Sequence, residues 1–262
     1  MPPNSGKLHP IIHAKYNSKM YNIGPIKVNF EEVDNCKHQF HFLYAGNSMA
    51  VHFSENFYSD INCIASETIG SEHYLWEESD YFRFDYNGNL HSIILRIPNL
   101  IETINYGNMD DSMLKSLKLL ESPIYCVVKQ TKIRHFDFMS KRLVCTNGIE
   151  DITKSEIKLL NKDFGLIFNQ KKYVGYVINN PLQYLTDSCG EIDVTKPTDV
   201  EYQIFDKCMK IVSDNNLDQH NGSMEEIAKQ LSNEIIPKLD NQKSKRTSVI
   251  KKEIEDLIDF WL

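Results

Sequence analysis

A chain of 262 residues with 41% hydrophobic and 11% aromatic content carries enough apolar side chain to bury a core, which excludes wholesale disorder. Its formal net charge of −7 excludes a general electrostatic affinity for nucleic acid and suits either a basic protein partner or a plain solubility surface. No stretch approaches the roughly 18 consecutive apolar residues that a membrane-spanning helix needs.

Met1 to Pro10 is short and polar, with no apolar segment behind it. The expectation is a cytoplasmic protein without a secretory signal, its first 18 residues a loose arm. From there to residue 196 the pattern predicts a β-rich α+β core. Tyr21 to Phe30 reads as extended, and Lys37 to Tyr44 alternates as a strand. Ala45-Gly46-Asn47-Ser48 turns the chain into Met49 to Phe53. Asp60 to Ile69, Tyr74 to Phe84 and Leu90 to Ile97 continue the sheet. Met113, Leu114, Leu117 and Leu120 recur at helical spacing, which predicts a helix over 110–120 stopped by Ser122-Pro123.

Ile124 to Lys129, Ile133 to Phe138 and Arg142 to Thr146 read as further strands. Thr153 with Glu156 three residues on predicts a capped helix over 153–161. Phe164 to Phe168 and Tyr173 to Ile178 form a second hairpin, in which Gly165 and Gly175 permit close approach of a neighbour.

From residue 197 to 262 the character becomes helical. Thr198 and Glu201 open a helix whose apolar stripe includes Ile204, Cys208 and Ile211. Leu217 to Gly222 reads as a linker, and Ser223 with Glu226 caps a helix that Pro237 ends or kinks. The last helix, 247–261, presents Ile250, Ile254, Leu257 and Trp261 along one side. The fold class expected is therefore α+β, a mostly antiparallel β-sheet core with peripheral helices and a helical C-terminal region packed on it.

The strongest local signal is the hairpin from Trp76 to Pro98. Asn87-Gly88 supplies positive-φ positions between two runs of aromatic and β-branched residues. Pairing Tyr86 with Asn89 puts Phe82, Phe84, His91, Ile93 and Leu95 on one face. Tyr81, Arg83 and Asp85 then lie on the other, where Asp85 and His91 face oppositely. Carboxylates at Glu77, Glu78, Asp80 and Asp85 beside Tyr74, Trp76, Tyr81 and Arg83 suit a basic partner, since aromatics anchor and acids steer.

Other motifs carry less. Gly46-Asn47-Ser48-Met49-Ala50 resembles a nucleophile elbow, yet Ala50 replaces the second glycine and a strand, not a helix, follows. His38, His41 and His52, with Cys36 as a fourth ligand, suggest zinc, but His38 and His41 fall on opposite faces of a strand. The six cysteines (Cys36, Cys63, Cys126, Cys145, Cys189, Cys208) are scattered and read as reduced core thiols. Ser155-x-x-Lys158 lacks the companion signatures of penicillin-recognising enzymes. Lys129, Lys132, Arg134, His135, Lys141 and Arg142 form a basic stretch that suits phosphate or an exposed edge strand. No cofactor or metal motif is present.

In general character (acidic, Asn-rich, without a catalytic signature) the chain is similar to bacterial immunity proteins that neutralise secreted toxins. That resemblance implies a non-enzymatic protein–protein interaction module of antitoxin type with a basic partner, bound through Tyr74, Trp76, Glu77, Glu78, Asp80, Tyr81, Arg83 and Asp85. The alternatives are a hydrolase or transferase with a noncontiguous site using Asp80, Asp85 and His91, and a nucleic-acid-binding protein using the basic stretch 129–142.

Overall fold

The computed structural model describes residues 20–45, 48–54, 67–71, 79–107, 113–123, 126–186 and 191–262. Within them sixteen strands form. The first eight are β1 (Tyr21–Ile23), β2 (Ile26–Glu32), β3 (Gln39–Ala45), β4 (Ser48–Ser54), β5 (Ile69–Gly70), β6 (Ser79–Phe84), β7 (Leu90–Ile97) and β8 (Leu100–Ile101). Then follow β9 (Lys115–Glu121), β10 (Val128–Lys129), β11 (Ile133–Asp137), β12 (Arg142–Thr146), β13 (Glu156–Asn161), β14 (Phe164–Asn169), β15 (Lys172–Asn179) and β16 (Leu185–Thr186). Five α-helices end the chain: α1 (Asp199–Ile211), α2 (Asp214–Gln219), α3 (Met224–Glu234), α4 (Ile236–Leu239) and α5 (Lys245–Trp261).

The strands make two mixed, mostly antiparallel sheets. The nine-stranded sheet runs β8-β11-β12-β15-β1-β2-β9, with β14 joined to β15 and β13 to β14. The seven-stranded sheet runs β10-β6-β7-β4-β3-β16, with β5 against β6. Their inner faces meet through aromatic rings: Phe40 and Phe53 of β3 and β4 pack on Phe164 of β14 at 5.1 and 5.3 Å between ring centroids. Such contacts add specific geometry to the area they bury. Gly175 of β15 faces β12 so closely that a Cβ there would sit 2.0 Å from the Cys145 carbonyl oxygen. Only glycine fits at that point of the antiparallel β12–β15 pairing.

The helical region is tied to the same core. Phe205 of α1 packs edge-on against Phe42 of β3 and Phe136 of β11, bridging the two sheets. Ile250, Ile254 and Leu257 of α5 join that core. A smaller core on the other face of the nine-stranded sheet gathers Ile133, Val144, Ile167 and Val177 beneath Ile104 and Ile152.

Caps read from the sequence are realised. Thr198 Oγ1 accepts from the Glu201 amide while the Glu201 carboxylate accepts from the Thr198 amide, a closed capping box. Ser223 caps α3. Three expectations are corrected. The helix over 110–120 is strand β9 in its described part, because six residues pair with β2 from Lys27↔Glu121 to Glu32↔Lys115. The helix over 153–161 is strand β13, paired with β14. In both, a short run with weak nucleation yields to a waiting strand edge. The linker 217–222 overlaps the end of α2, capped by Ser213.

The β6–β7 turn also differs from the expected two-residue form. Gly88 NH donates to the Asp85 carbonyl at 2.9 Å and Asp85 NH to the Asn89 carbonyl at 2.9 Å, so three residues form the loop. Gly88 sits at φ +80, the left-handed residue that this longer turn requires. The Asp85 carboxylate accepts from the amides of Asn87 and Asn89, which fixes the register. Further along, Phe82 faces Ile93 as expected, but Phe84 faces Leu90, and a bulge falls at His91.

Candidate functional site

A cavity of about 350 Å3 lies beside that turn. Its walls are the 33–38 loop after β2, Asp85 and Asn89–His91 of the hairpin, and the start of β9 at 115–117. Phe53, Leu90, Leu117 and Leu160 supply apolar lining. The bulge has a chemical consequence. An undisturbed hairpin would set Asp85 and His91 on opposite faces, whereas here both line one cavity.

Cys36, His38, Asp85, Asn89 and Lys115 each have a structural bond. His38 stacks on Phe53 with 4.9 Å between centroids, and its Nε2 lies 2.9 Å from the Leu90 carbonyl oxygen. That contact requires a proton on Nε2. The Cys36 thiol donates to the His38 carbonyl, and burial pushes it above the usual thiol range. Such a thiol is a poor nucleophile at neutral pH. Burial alone would raise Asp85, but the hydrogen bonds from the side chain and amide of Asn89 and the amide of Asn87 hold it below the usual carboxylate range. Lys115 pairs with Glu32 at 3.1 Å, and Lys118 Nζ donates to Asn89 Oδ1 at 2.7 Å.

The other residues expected at the partner surface lie elsewhere. Tyr74, Trp76, Glu77 and Glu78 fall outside the described residues, as do the arm 1–18, Cys63, Cys189 and most of the strand expected over 60–69. Asp80, Tyr81 and Arg83 are buried, at 0%, 1% and 6% exposure, and so do not form an outward face as expected. Packing covers both faces of β6. Arg83 donates to Thr68 Oγ1 at 2.8 Å and to the Ser71 carbonyl at 3.1 Å, and its guanidinium lies 5.7 Å from the Tyr81 ring centre. Asp80 accepts from the Arg96 amide at 3.3 Å and the Tyr173 hydroxyl at 3.2 Å. Removal from water pushes its carboxyl up to about 8, against the pull of those donors.

The histidines separate as strand geometry requires. His41 and His52 sit directly opposite across β3 and β4, while His38 lies against Phe53. Burial, with the neighbouring His41 second, lowers His52 to about 4. Among the described residues no three His, Cys, Asp or Glu side chains gather closely enough to hold a metal ion.

β3 and β4 pair from Gln39↔Ser54 to Ala45↔Ser48, a hairpin and not a nucleophile elbow. Ser155 precedes β13 and Lys158 lies within it, so they are not a helical pair.

The basic stretch is largely consumed internally. Arg134 is buried and donates to the Met209 carbonyl at 2.7 Å, and Arg142 donates to Asn179 Oδ1 at 2.8 Å. Lys141 pairs with Asp199 at 2.9 Å and sits 3.5 Å from the centre of the Phe138 ring. Lys129 and Lys132 remain exposed.

Sequence reasoning missed Lys115 and Leu160 as cavity walls, because both lie in segments whose local pattern is helical. Cys36 and His38 were visible only as metal-ligand types. No protein-family model, curated protein or solved structure matches the chain.

Proposed function

We propose that this chain is a non-enzymatic binding module that receives a basic protein partner at the cleft beside the β6–β7 turn. The observation that carries this reading is the state of the cleft's ionisable groups. Cys36, His38, Asp85 and Lys115 are each engaged in a bond that holds the fold. What the cleft offers a visitor is an apolar lining with Asp85 and the exposed Lys37 on its wall and further carboxylates next to it. Asp85 is held ionised at the turn, and Glu31 and Asp34 are exposed beside the lining residues Val33 and Asn35. A lysine or arginine side chain matches that arrangement, with its stem against the apolar lining and its cationic head at the rim. The net charge of −7 favours the same partner at long range. A protein that neutralises a basic toxin by binding is one form of such a module.

The test is capture of partners from the native cell at low and moderate salt, comparing the wild type with Glu31→Lys/Asp34→Lys. A stoichiometric basic partner lost in the variant supports the reading, and reversal at Glu77 and Glu78 tests the remaining acidic residues expected to contact it. A partner held equally by both proteins, or none under either salt condition, overturns it.

One observation favours a second reading, a hydrolase or transferase: the bulge brings Asp85 and His91 to the same cavity. Turnover of an ester, phosphoester or glycoside that disappears in His91→Asn would select it.

A further inference from the structure

Three Asn-Gly dipeptides occur in the chain, at Asn87-Gly88, Asn147-Gly148 and Asn221-Gly222. Such a pair is chemically labile, because the glycine amide nitrogen can attack the asparagine side-chain carbonyl carbon with no Cβ in the way. All three asparagines are exposed, so access to water does not separate them. The bonding of the glycine amide does.

Gly88 is buried, its NH donates to the Asp85 carbonyl at 2.9 Å, and its carbonyl accepts from the Leu119 amide at 2.7 Å. Gly222 has open surroundings, but its NH donates to the Leu217 carbonyl at 2.8 Å and closes the end of α2. Each of these amides must break a backbone bond before its nitrogen can turn on the side chain. Gly148 is different. It is exposed, and among the described residues its amide donates to no acceptor. A Cβ there would meet only Lys132 Cδ, at 4.0 Å. The bonds on either side leave that peptide alone: Asn147 NH donates to the Val174 carbonyl at 2.9 Å, and Thr146 Oγ1 to the Ile149 carbonyl at 2.8 Å.

We infer that Asn147 is a site of spontaneous deamidation, the one of the three Asn-Gly pairs that the fold leaves open. Hydroxide or water takes the Gly148 amide proton, and the nitrogen forms a bond to Asn147 Cγ. The Cγ–Nδ2 bond breaks, Nδ2 takes up a proton and leaves as ammonia, and a five-membered succinimide remains. Water then adds to one of the two ring carbonyls and breaks its bond to the ring nitrogen. Opening at Cγ gives aspartate, and opening at the main-chain carbonyl gives isoaspartate. The net exchange is an amide and water for a carboxylic acid and ammonia. Either product adds a negative charge to a cleft wall that also holds Lys129 and Lys132. Isoaspartate also lengthens the main chain by a methylene just past Thr146, the last residue of β12 to pair with β15.

The experiment ages the full folded chain in mildly alkaline buffer, beside the same chain unfolded in urea. Acid formation at each asparagine is followed by peptide mapping with tandem mass spectrometry. In the folded chain Asn147 should convert at least about fivefold faster than Asn87 or Asn221, the factor that one intact backbone hydrogen bond represents. In urea the three rates should converge. Amide hydrogen exchange reads the cause directly: Gly148 should exchange fastest of the three glycine amides, which share the same preceding residue. Asn147→Gln should abolish conversion at that position and leave the other two rates unchanged. Equal or faster conversion at Asn87 or Asn221 in the folded chain overturns the inference, as does a protected Gly148 amide. So does a folded chain that keeps Asn147 intact while the unfolded chain converts it. A preference for Asn147 that persists at the same ratio in urea overturns it too, by placing the cause in neighbouring side chains and not in the fold.

Discussion

Asp80 and Glu201 are both shut off from solvent, at 0% and 3% exposure, yet their carboxyls shift in opposite directions. Asp80 meets one amide and one hydroxyl, and burial pushes it up to about 8. Burial opposes ionisation of Glu201 as well. There the Ser244 hydroxyl, the Thr198 amide and the Arg246 guanidinium together outweigh it, and the carboxyl stays below its usual range. Arg246 lies 3.2 Å from Glu201 and 3.6 Å from Asp193, and it also donates to the Leu182 and Thr195 carbonyls. Asp80 lies deeper in the protein than Glu201, so depth of burial, the number of donors and the presence of a cation decide the difference together.

The largest expected effect breaks the charged member of that pair. Arg246→Met leaves Glu201 buried without its cation and should cost about 3–5 kcal/mol, read from the urea midpoint. A change below about 1 kcal/mol would show that Ser244 and Thr198 suffice to hold the charge.

The next prediction concerns the neutral member. The folded pKa of Asp80, about 8, stands above its ordinary 3.8. Its stabilising contribution is therefore full below the lower value and lost as pH rises toward 8. His52 runs the other way. Its folded value, about 4, stands below 6.5, so its contribution is full above 6.5 and lost as pH falls toward 4. Between roughly pH 4 and 6.5 one change offsets the other, giving a plateau, and from 6.5 to 8 stability should fall by about 2 kcal/mol. In Asp80→Asn the offset is gone, so stability should rise from pH 4 to 6.5 through His52 and then stay level to pH 8, in urea unfolding measured across that range. The same decline in the variant would assign it to another group.

The smallest effect sharpens the comparison at Glu201. Thr198→Ala removes the hydroxyl that accepts from the Glu201 amide and should lower stability by about 1 kcal/mol. A larger loss, by thermal unfolding, would show that the capping box also orients the carboxylate toward Arg246.

Much of the architecture was legible because its signals are local. Thr198 with Glu201 and Ser223 with Glu226 mark helix starts through side-chain bonds a few residues long, and the second hairpin shows as two apolar runs about a polar turn, with incomplete alternation. β9 and β13 were not legible, because what makes them strands is a partner distant in the chain. Glu121 of β9 meets Lys27, 94 residues away. The cleft beside the turn was half legible. Asp85 and His91 stood out as chemistry-bearing types, but a one-residue bulge decides that they share a wall. The partner face drawn on β6 failed at Asp80, Tyr81 and Arg83, because alternation in a strand does not reveal that both of its faces are covered.

The Arg246 cluster bears on how the chain is made. Glu201 lies 45 residues before its counter-ion, and Asp193 lies earlier still. During synthesis both carboxylates emerge from the ribosome well ahead of the guanidinium that lets them be ionised and buried. The strands can collapse as they appear, but the seat of α1 on the sheets has to stay wet, or protonated, until α5 follows. A nascent chain stalled before residue 246 should therefore stay sensitive to protease around α1, and gain protection once that arginine is free to dock.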